Sequence, residues 1–403
     1  MSISKYIKIL RLLFLMSFLI GCNSKTKNSS LIYEILQESK EPIIKKVLLD
    51  LNSHEVQILF TRIHRDSLGK PEFESHKFQV HSKHYFYPAS TVKLPVAILA
   101  LQKIRKLQSQ GIPITPDTPF TVLFSENIIK KTDSTHPNNK LTIAHLIKKI
   151  FLVSDNTAYN YLFDFIGRDD ANKAIHSIGI PNFKLSHKFS DSETQNSTPH
   201  FIFFNQRGDT IYNQAPIISN QKIKNTHLEG VLKGKGYVKD GTVIEESMDF
   251  SEKNYASIEA LHQILKRIIF PKLFSKNEQF KIEQEDYFFL RYWMSKTPNE
   301  VTIPFYDRET FFDSYGKFFI YGDKKGEMTN TTRIYNKVGL AYGTTTDVAY
   351  VKDRNGIEFF LTATILTNKN EIFNDNKYEY DQLGIPFLAA LGREIYQFEY
   401  KLL

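Results

Sequence analysis

Ser90 and Lys93 stand three residues apart in "YFYPASTVKLPVAIL", at the head of a long apolar run. A serine is a poor nucleophile unless a base lies within hydrogen-bond reach. One helical turn apart, the two side chains project from the same face of a helix that begins near Ser90. Ser90 in the first turn also places its own N–H among the unpaired donors of the helix start, where an oxyanion can develop. A lysine partly removed from water there loses proton affinity and can accept the serine's proton. Alone, the pair reads more plainly as a helix cap followed by an exposed lysine. Ser154-Asp155-Asn156 interrupts another apolar pattern in "FLVSDNTAYN". Ser154 could relay a proton, and the Asn156 amide could both donate to and accept from an amide substrate; a turn between two helices is the plainer reading. Lys337-Val338-Gly339 lies on a predicted strand. Gly339 would let a substrate backbone approach the strand edge, and Lys337 would supply charge for a carboxylate.

These residues need elements to position them. "SLIYEILQESKEPIIKKVLLDL" has helical spacing, broken near Pro42. "EVQILFTRIHRDSLGKPEFESHKFQV" alternates about "DSLGKP" as a β-hairpin would. The helix after Ser90 runs through Leu107, with Pro95 early enough to be tolerated. Residues 113–185 read as mostly helical, most clearly in "KLTIAHLIKKIFLVSDNTAYNYLFDFIG", where Thr142 is a plausible N-cap. From 199 to 330 the pattern is irregular, with a hairpin in "FIFFNQRGDTIYNQ" and helices in "ASIEALHQILKRIIF" and "QEDYFFLRYWMSK". "TRIYNKVGLAYGTTTDVAYVKDRNGIEFFLTATILTN" gives three strands, the last two joined by an Asn355-Gly356 turn, and "GIPFLAALGREIYQFE" closes the chain as a helix. The expected class is α/β of the α+β kind: an antiparallel sheet from both termini, flanking helices and an inserted, mostly helical domain.

Each motif is weak by itself, but S-x-x-K, then S-D-N 64 residues on, then K-x-G on a late strand is a specific order. The sequence resembles the class A β-lactamase and penicillin-binding-protein family of serine hydrolases, over roughly residues 31–403. The flanks "YPASTVKLPV", "LTIAHLIKKIFLVSDNTAYNYL" and "NKVG" carry the likeness further. It implies an α/β subdomain from 31–95 and 310–403, and a helical subdomain over 96–309 with a long insertion around 199–330. It implies that Ser90 is acylated, that Lys93 is its proton partner, and that Ser154 and Asn156 line the opposite wall. Lys337 would bind the substrate carboxylate and assist proton flow through Ser154, beside Gly339. The N–H groups of Ser90 and Leu340 would form the oxyanion hole. The substrate implied is a β-lactam opened through an acyl-enzyme. Slow-deacylating D,D-peptidase or esterase action on peptidoglycan-derived substrates is an alternative, as is a non-catalytic envelope binding protein that keeps the fold.

Three features depart from the family pattern. Lys337 follows Ser154 by 183 residues, a longer gap than the family usually shows. Val338 replaces a threonine whose hydroxyl helps hold the carboxylate, at a cost of about 1 kcal/mol or more. The family's deacylating glutamate, in E-x-x-L-N, has no clear counterpart in "KLSHKFSDSETQNSTP". Glu193, with Asn196, is the candidate and Asp191 a lesser one, whereas an alternative alignment puts Phe189 or Ser190 there.

Composition sets the surroundings. The 52 Lys and Arg against 44 Asp and Glu leave a net charge of +8, scattered along the chain as on a solvated basic surface. No nucleic-acid motif occurs, and the 32 Phe and 21 Tyr are spread as core residues are. "KGKGYVKDG" lacks a P-loop's lysine-serine ending, and His81 and His84 read as surface residues, so no metal or cofactor is expected. The one cysteine is Cys22. Before it lie Lys5, Lys8 and Arg11, then the apolar run Leu12 to Ile20, too short for the roughly 20 residues that span a bilayer. Leu19-Ile20-Gly21-Cys22 resembles a bacterial lipobox. The expectation is a signal peptide at 1–21, lipidation of Cys22, a tether at 22–30, and a monomer anchored in the cell envelope, on the periplasmic side or in the outer membrane. With no other cysteine, the mature domain can form no internal disulfide.

Overall fold

The computed structural model describes residues 30–403 except 126–127, 191–195, 222–223, 226, 327 and 330. Two short helices open it, α1 (Leu31–Glu38), capped by the Ser30 hydroxyl, and α2 (Pro42–Leu48), which takes Pro42 in its first turn. The hairpin β1 (Gln57–Arg65) and β2 (Pro71–Phe78) follows, with its turn at "DSLGKP". The long central helix is α3 (Lys93–Ser109). Strands β3 (Phe120–Ser125) and β4 (Ile128–Lys130) precede α4 (Ile143–Val153), α5 (Asn156–Ile166) and α6 (Arg168–Ser177). Thr142 caps α4, its hydroxyl accepting from the His145 N–H.

The hairpin β5 (His200–Phe204) and β6 (Thr210–Gln214) joins β3 and β4 in a four-stranded sheet, in the order β4-β3-β5-β6. Residues 113–185 are therefore less helical than their pattern suggests. Phe120 and Val122 alternate with Thr121 and bury their side chains against Phe201 and Phe203, a strand period set inside a helical neighbourhood. Helices α7 (Ile258–Ile269) and α8 (Gln284–Ser295) follow a stretch of two- to four-residue strand pairs.

Three long strands, β7 (Thr332–Ala341), β8 (Thr344–Asp353) and β9 (Glu358–Leu366), then complete the main sheet, and α9 (Ile385–Tyr400) ends the chain. That sheet is antiparallel in the order β7-β8-β9-β1-β2, so both termini build it. It has a core on each face, divided by the two-residue period of its strands. Leu59 and Ile63 of β1 face α3, α4, α5, α7 and α8, while Ile58 and Phe60 face α1, α2 and α9. The fold is that of an α+β protein with an antiparallel sheet and flanking helices.

A third cluster, Tyr85, Tyr87, Leu228, Phe250, Tyr255 and Phe373, ties the insertion to the segment before Ser90. Strand pairing adds two links, Ile372–Phe373 beside Gly236–Tyr237 and Tyr255–Ala256 beside Phe183–Lys184.

Candidate active site

Ser90 does not sit in the α-helix itself. It lies on a single 3₁₀ turn, Ala89–Val92, from which α3 continues at Lys93. Ala89 has φ of 45°, an uncommon conformation for a residue with a side chain, and the Thr91 hydroxyl ties the turn to the Pro88 carbonyl at 2.6 Å. This elbow leaves Ser90 half-buried at the cleft while Lys93 is buried.

On the facing wall, α4 ends at Ser154, which takes a left-handed conformation with φ of 57°. Asp155 then caps α5, accepting from the Ala158 N–H at 2.7 Å. A buried ionic clamp holds the corner: Lys149 reaches Asp133 at 2.9 Å and Asp155 at 3.2 Å. Asp155 stays partly exposed, and although burial raises the Asp133 carboxyl, hydrogen bonds from Thr135 and Lys149 outweigh it and bring it down to about 2.

The two lysines meet at the Ser154 hydroxyl. Lys93 Nζ donates to Asn156 Oδ1 at 2.6 Å, to Ser154 Oγ at 3.2 Å and to the Ser154 carbonyl. Lys337 Nζ donates to Ser154 Oγ at 2.9 Å and to the Val338 carbonyl at 2.9 Å. Both ammonium groups lie in the interior. Burial, and then the like charge of Lys337, push Lys93 well below the ordinary lysine range, against the pull of Asp155. Burial brings Lys337 down to about 7, with Asp347 opposing the fall and Lys317 adding to it. Two adjacent buried cations with one hydroxyl between them favour a state in which one lysine is neutral and can act as a base.

Gly339 has a steric reason to be glycine. A Cβ there would stand 2.7 Å from the Pro88 carbonyl oxygen and 3.1 Å from the Ser90 nitrogen. Edge strand β7 thus packs against the Ser90 turn, and Leu340 follows on the cleft rim. Ser90 and Leu340 line two adjoining cavities. One, of about 940 Å³, is walled by Tyr87, His187, Phe189, Tyr342, Tyr378 and Tyr380. The other, of about 640 Å³, runs over Ser154 and Val338 toward Phe312, Tyr315 and Lys325. Of the seven residues expected at the site, Ser90, Ser154, Asn156 and Leu340 line these cavities, while Lys93 and Lys337 reach Ser154 and Gly339 packs against the Ser90 turn. Cys22, Asp191 and Glu193 lie outside the described residues.

Several side chains that the motifs did not point to also shape the site. The Phe189 ring lies 5.0 Å from Lys93 Nζ and packs on Tyr159 at 4.6 Å between centroids. Asn160 grips the Phe189 backbone at both its N–H and its carbonyl, at 2.9 and 2.8 Å. The next residue, Ser190, has φ of 52° and its Oγ meets Asn156 Nδ2 at 3.5 Å, the outer limit of a hydrogen bond. The wall next to Lys93 and Asn156 therefore carries an aromatic ring and a hydroxyl. Of the two places weighed for a deacylating group, the described one holds no carboxylate.

Comparison with known proteins gives a family and several similar folds. A family model described as the β-lactamase enzyme family matches residues 43–398. No curated protein matches the chain. Among solved structures, the TLA-1 extended-spectrum β-lactamase superposes with a TM-score of 0.50 at 16% identity, covering 89% of this chain and 97% of its own. The TLA-3 extended-spectrum enzyme gives 0.49 at 16% over 89% and 97%. A class A β-lactamase from Bacteroides cellulosilyticus DSM 14838 gives 0.49 at 14% identity, covering 91% of this chain and 97% of that one.

Proposed function

The chain belongs to the β-lactamase enzyme family, and from that premise we propose that its cleft opens β-lactam amides through an ester on Ser90. The observation that carries the reading is the placing of Ser154 Oγ between two buried lysine amines, 3.2 Å from Lys93 and 2.9 Å from Lys337, in the cleft that Ser90 lines. Neutral Lys93 takes the Ser90 hydroxyl proton as Oγ attacks the lactam carbonyl. The Ser90 and Leu340 N–H groups stabilise the resulting oxyanion. As the C–N bond breaks, the proton on Lys93 passes to Ser154 while the Ser154 hydroxyl proton goes to the departing nitrogen. Lys337 supplies positive charge for the substrate carboxylate, without the hydroxyl that Val338 lacks. The product of this half is an acyl ester on Ser90, and water must cleave it to regenerate the serine.

That second half is open to a slow-release reading. Among the described residues, Phe189 and Ser190 border Lys93 and Asn156, and neither can deprotonate a water as a carboxylate does, while the carboxylates of Asp249 and Glu252 line the same cavity. The reading is therefore an efficient acylation followed by a long-lived ester, with the character of a penicillin-binding enzyme as much as of a fast β-lactamase. Time-resolved labelling with a fluorescent penicillin tests both halves. Rapid labelling that persists for minutes or longer supports the reading, and turnover without any accumulated label contradicts the slow release. We place the enzyme in the cell envelope, held by a lipid on Cys22, on the strength of the charged, apolar and small-residue order before that cysteine. Incorporation of labelled palmitate that a Cys22→Ser variant abolishes is the expected result; equal labelling of both proteins sinks the anchor.

A further inference from the structure

Behind Lys337, on the side of the sheet away from Ser154, lies a second set of buried charges. Lys317 is 3% exposed, Asn336 2% and Asp347 0%. Lys317 Nζ donates to Asn336 Oδ1 at 2.7 Å and to the Ile334 carbonyl at 2.9 Å. Asn336 Nδ2 in turn donates to both Asp347 oxygens, at 2.8 and 3.1 Å. Asp347 also accepts from the Phe318 and Phe319 N–H groups at 3.2 and 3.3 Å. One amide thus joins a buried cation to a buried anion, and it belongs to the residue immediately before Lys337.

We infer that Asp347, coupled through Asn336 to Lys317, is a positioning residue that keeps Lys337 as the anion-binding charge of the cleft. The inference rests on the acyl-transfer reading above. Asp347 faces Val338 in the strand register, so it stands one strand's width, about 4.8 Å, from the β7 backbone beside Lys337. Among the described residues, the charged groups around Lys337 are few. Lys93 faces it across Ser154, with Asp155 at the α4–α5 corner behind Lys93. Lys317 approaches from the segment before β7, and Asp347 from β8. In the outer cavity, Asp323 is paired with Arg393, leaving Lys325 and Asp381 on its lining.

Among the described groups buried here, Lys317 and Lys337 both feel the Asp347 carboxylate, which burial itself raises to about 6, whereas the acid nearest Lys93 is Asp155. An uncompensated buried ammonium loses its proton, so this carboxylate decides which lysine stays charged. Set behind Lys337 and away from Lys93, it holds the proton on the lysine that meets the substrate's carboxylate and leaves Lys93 free to be the base. The position of Lys337 near 7 follows from this balance, with burial pulling down and Asp347 holding up.

Two substitutions pull in opposite directions. Asp347→Asn removes the anion while keeping a side chain that can accept from the Phe318 and Phe319 N–H groups. Lys317→Met removes the competing cation. The experiment is the pH profile of Ser90 acylation by benzylpenicillin, which carries a carboxylate, beside phenyl phenylacetate, an ester that carries none and releases phenol. With benzylpenicillin, the alkaline limb should move down by about one pH unit in Asp347→Asn and up in Lys317→Met. The ester's profile should stay in place in both. Shifts in the same direction, no shift, or equal shifts with both substrates would overturn the inference, because a purely structural role lowers rates without moving limbs oppositely. Titration of Lys337 Nζ by nitrogen NMR reads the same balance without chemistry and should fall in Asp347→Asn. If that titration moves while wild type forms no adduct with either probe, the acyl-transfer reading fails and the role of Asp347 in charging Lys337 stands; if it does not move, the role of Asp347 fails.

Discussion

The two walls that meet at Lys93 are built to different standards. On one, the Ser154 hydroxyl stands between two buried lysines, its backbone is pinned in a left-handed turn, and the clamp Asp133–Lys149–Asp155 holds the corner. On the other, Phe189 and Ser190 are fixed by Asn160 and touch the same lysine and asparagine with a ring and a hydroxyl. Both walls are ordered by hydrogen bonds, but among the described residues the first brings two buried amines to one hydroxyl, and the second brings a ring and a hydroxyl. The difference teaches that order alone does not make a wall catalytic. On the proposed function, the described residues of these two walls supply more for forming an ester than for hydrolysing it.

The contrast can be broken from either side, and the first wall gives the larger effects. Lys93→Met removes the base and should slow acylation by benzylpenicillin on the order of a thousandfold, as read by stopped-flow or quenched-flow labelling. In the wild type the acylation profile should be bell-shaped. Its acid limb falls as Lys93, held well below the ordinary lysine range, gains a proton. Its alkaline limb falls above about 7, as Lys337 loses the charge that captures the substrate carboxylate. Lys149→Met leaves Asp133 and Asp155 facing each other without their cation, and urea unfolding should report a loss of about 3 kcal/mol. A loss below about 0.5 kcal/mol would mean that the clamp does not hold the corner.

The second wall should respond by gain. Ser190→Glu places a carboxylate beside Asn156 and should shorten the lifetime of the penicillin adduct roughly tenfold, with acylation little changed. An unchanged lifetime would show that a carboxylate at position 190 is not what limits release.

Much of the first wall was legible because its residue types and spacing are themselves chemical. A serine one turn before a lysine, a Ser-Asp-Asn break in an apolar helix and a lysine two residues before a glycine all carry reasons that survive without a structure. The glycine's reason sharpened into a close approach to Pro88 and Ser90. The main sheet was legible from its alternation and its Asn-Gly turn. The rest was hidden for definite causes. The turn bearing Ser90 is 3₁₀, which no apolar period distinguishes from the start of an α-helix. Strands β3 and β4 are short and stand among helices. Lys149 occupies a helix position that normally faces water, and Lys317 and Asp347 reach each other through Asn336 across a tertiary fold that no local spacing encodes. Phe189 shows its place only because Asn160, 29 residues away, holds its backbone.

The most direct test of the account is intact-mass measurement of the purified protein, wild type and Ser90→Ala, at intervals after mixing with benzylpenicillin. The account predicts that the wild type gains the mass of one penicillin, that the adduct maps to Ser90 and persists for minutes or longer, and that Ser90→Ala gains nothing. A wild type that never carries the adduct while leaving penicillin intact, or a Ser90→Ala protein that carries it equally, would contradict it.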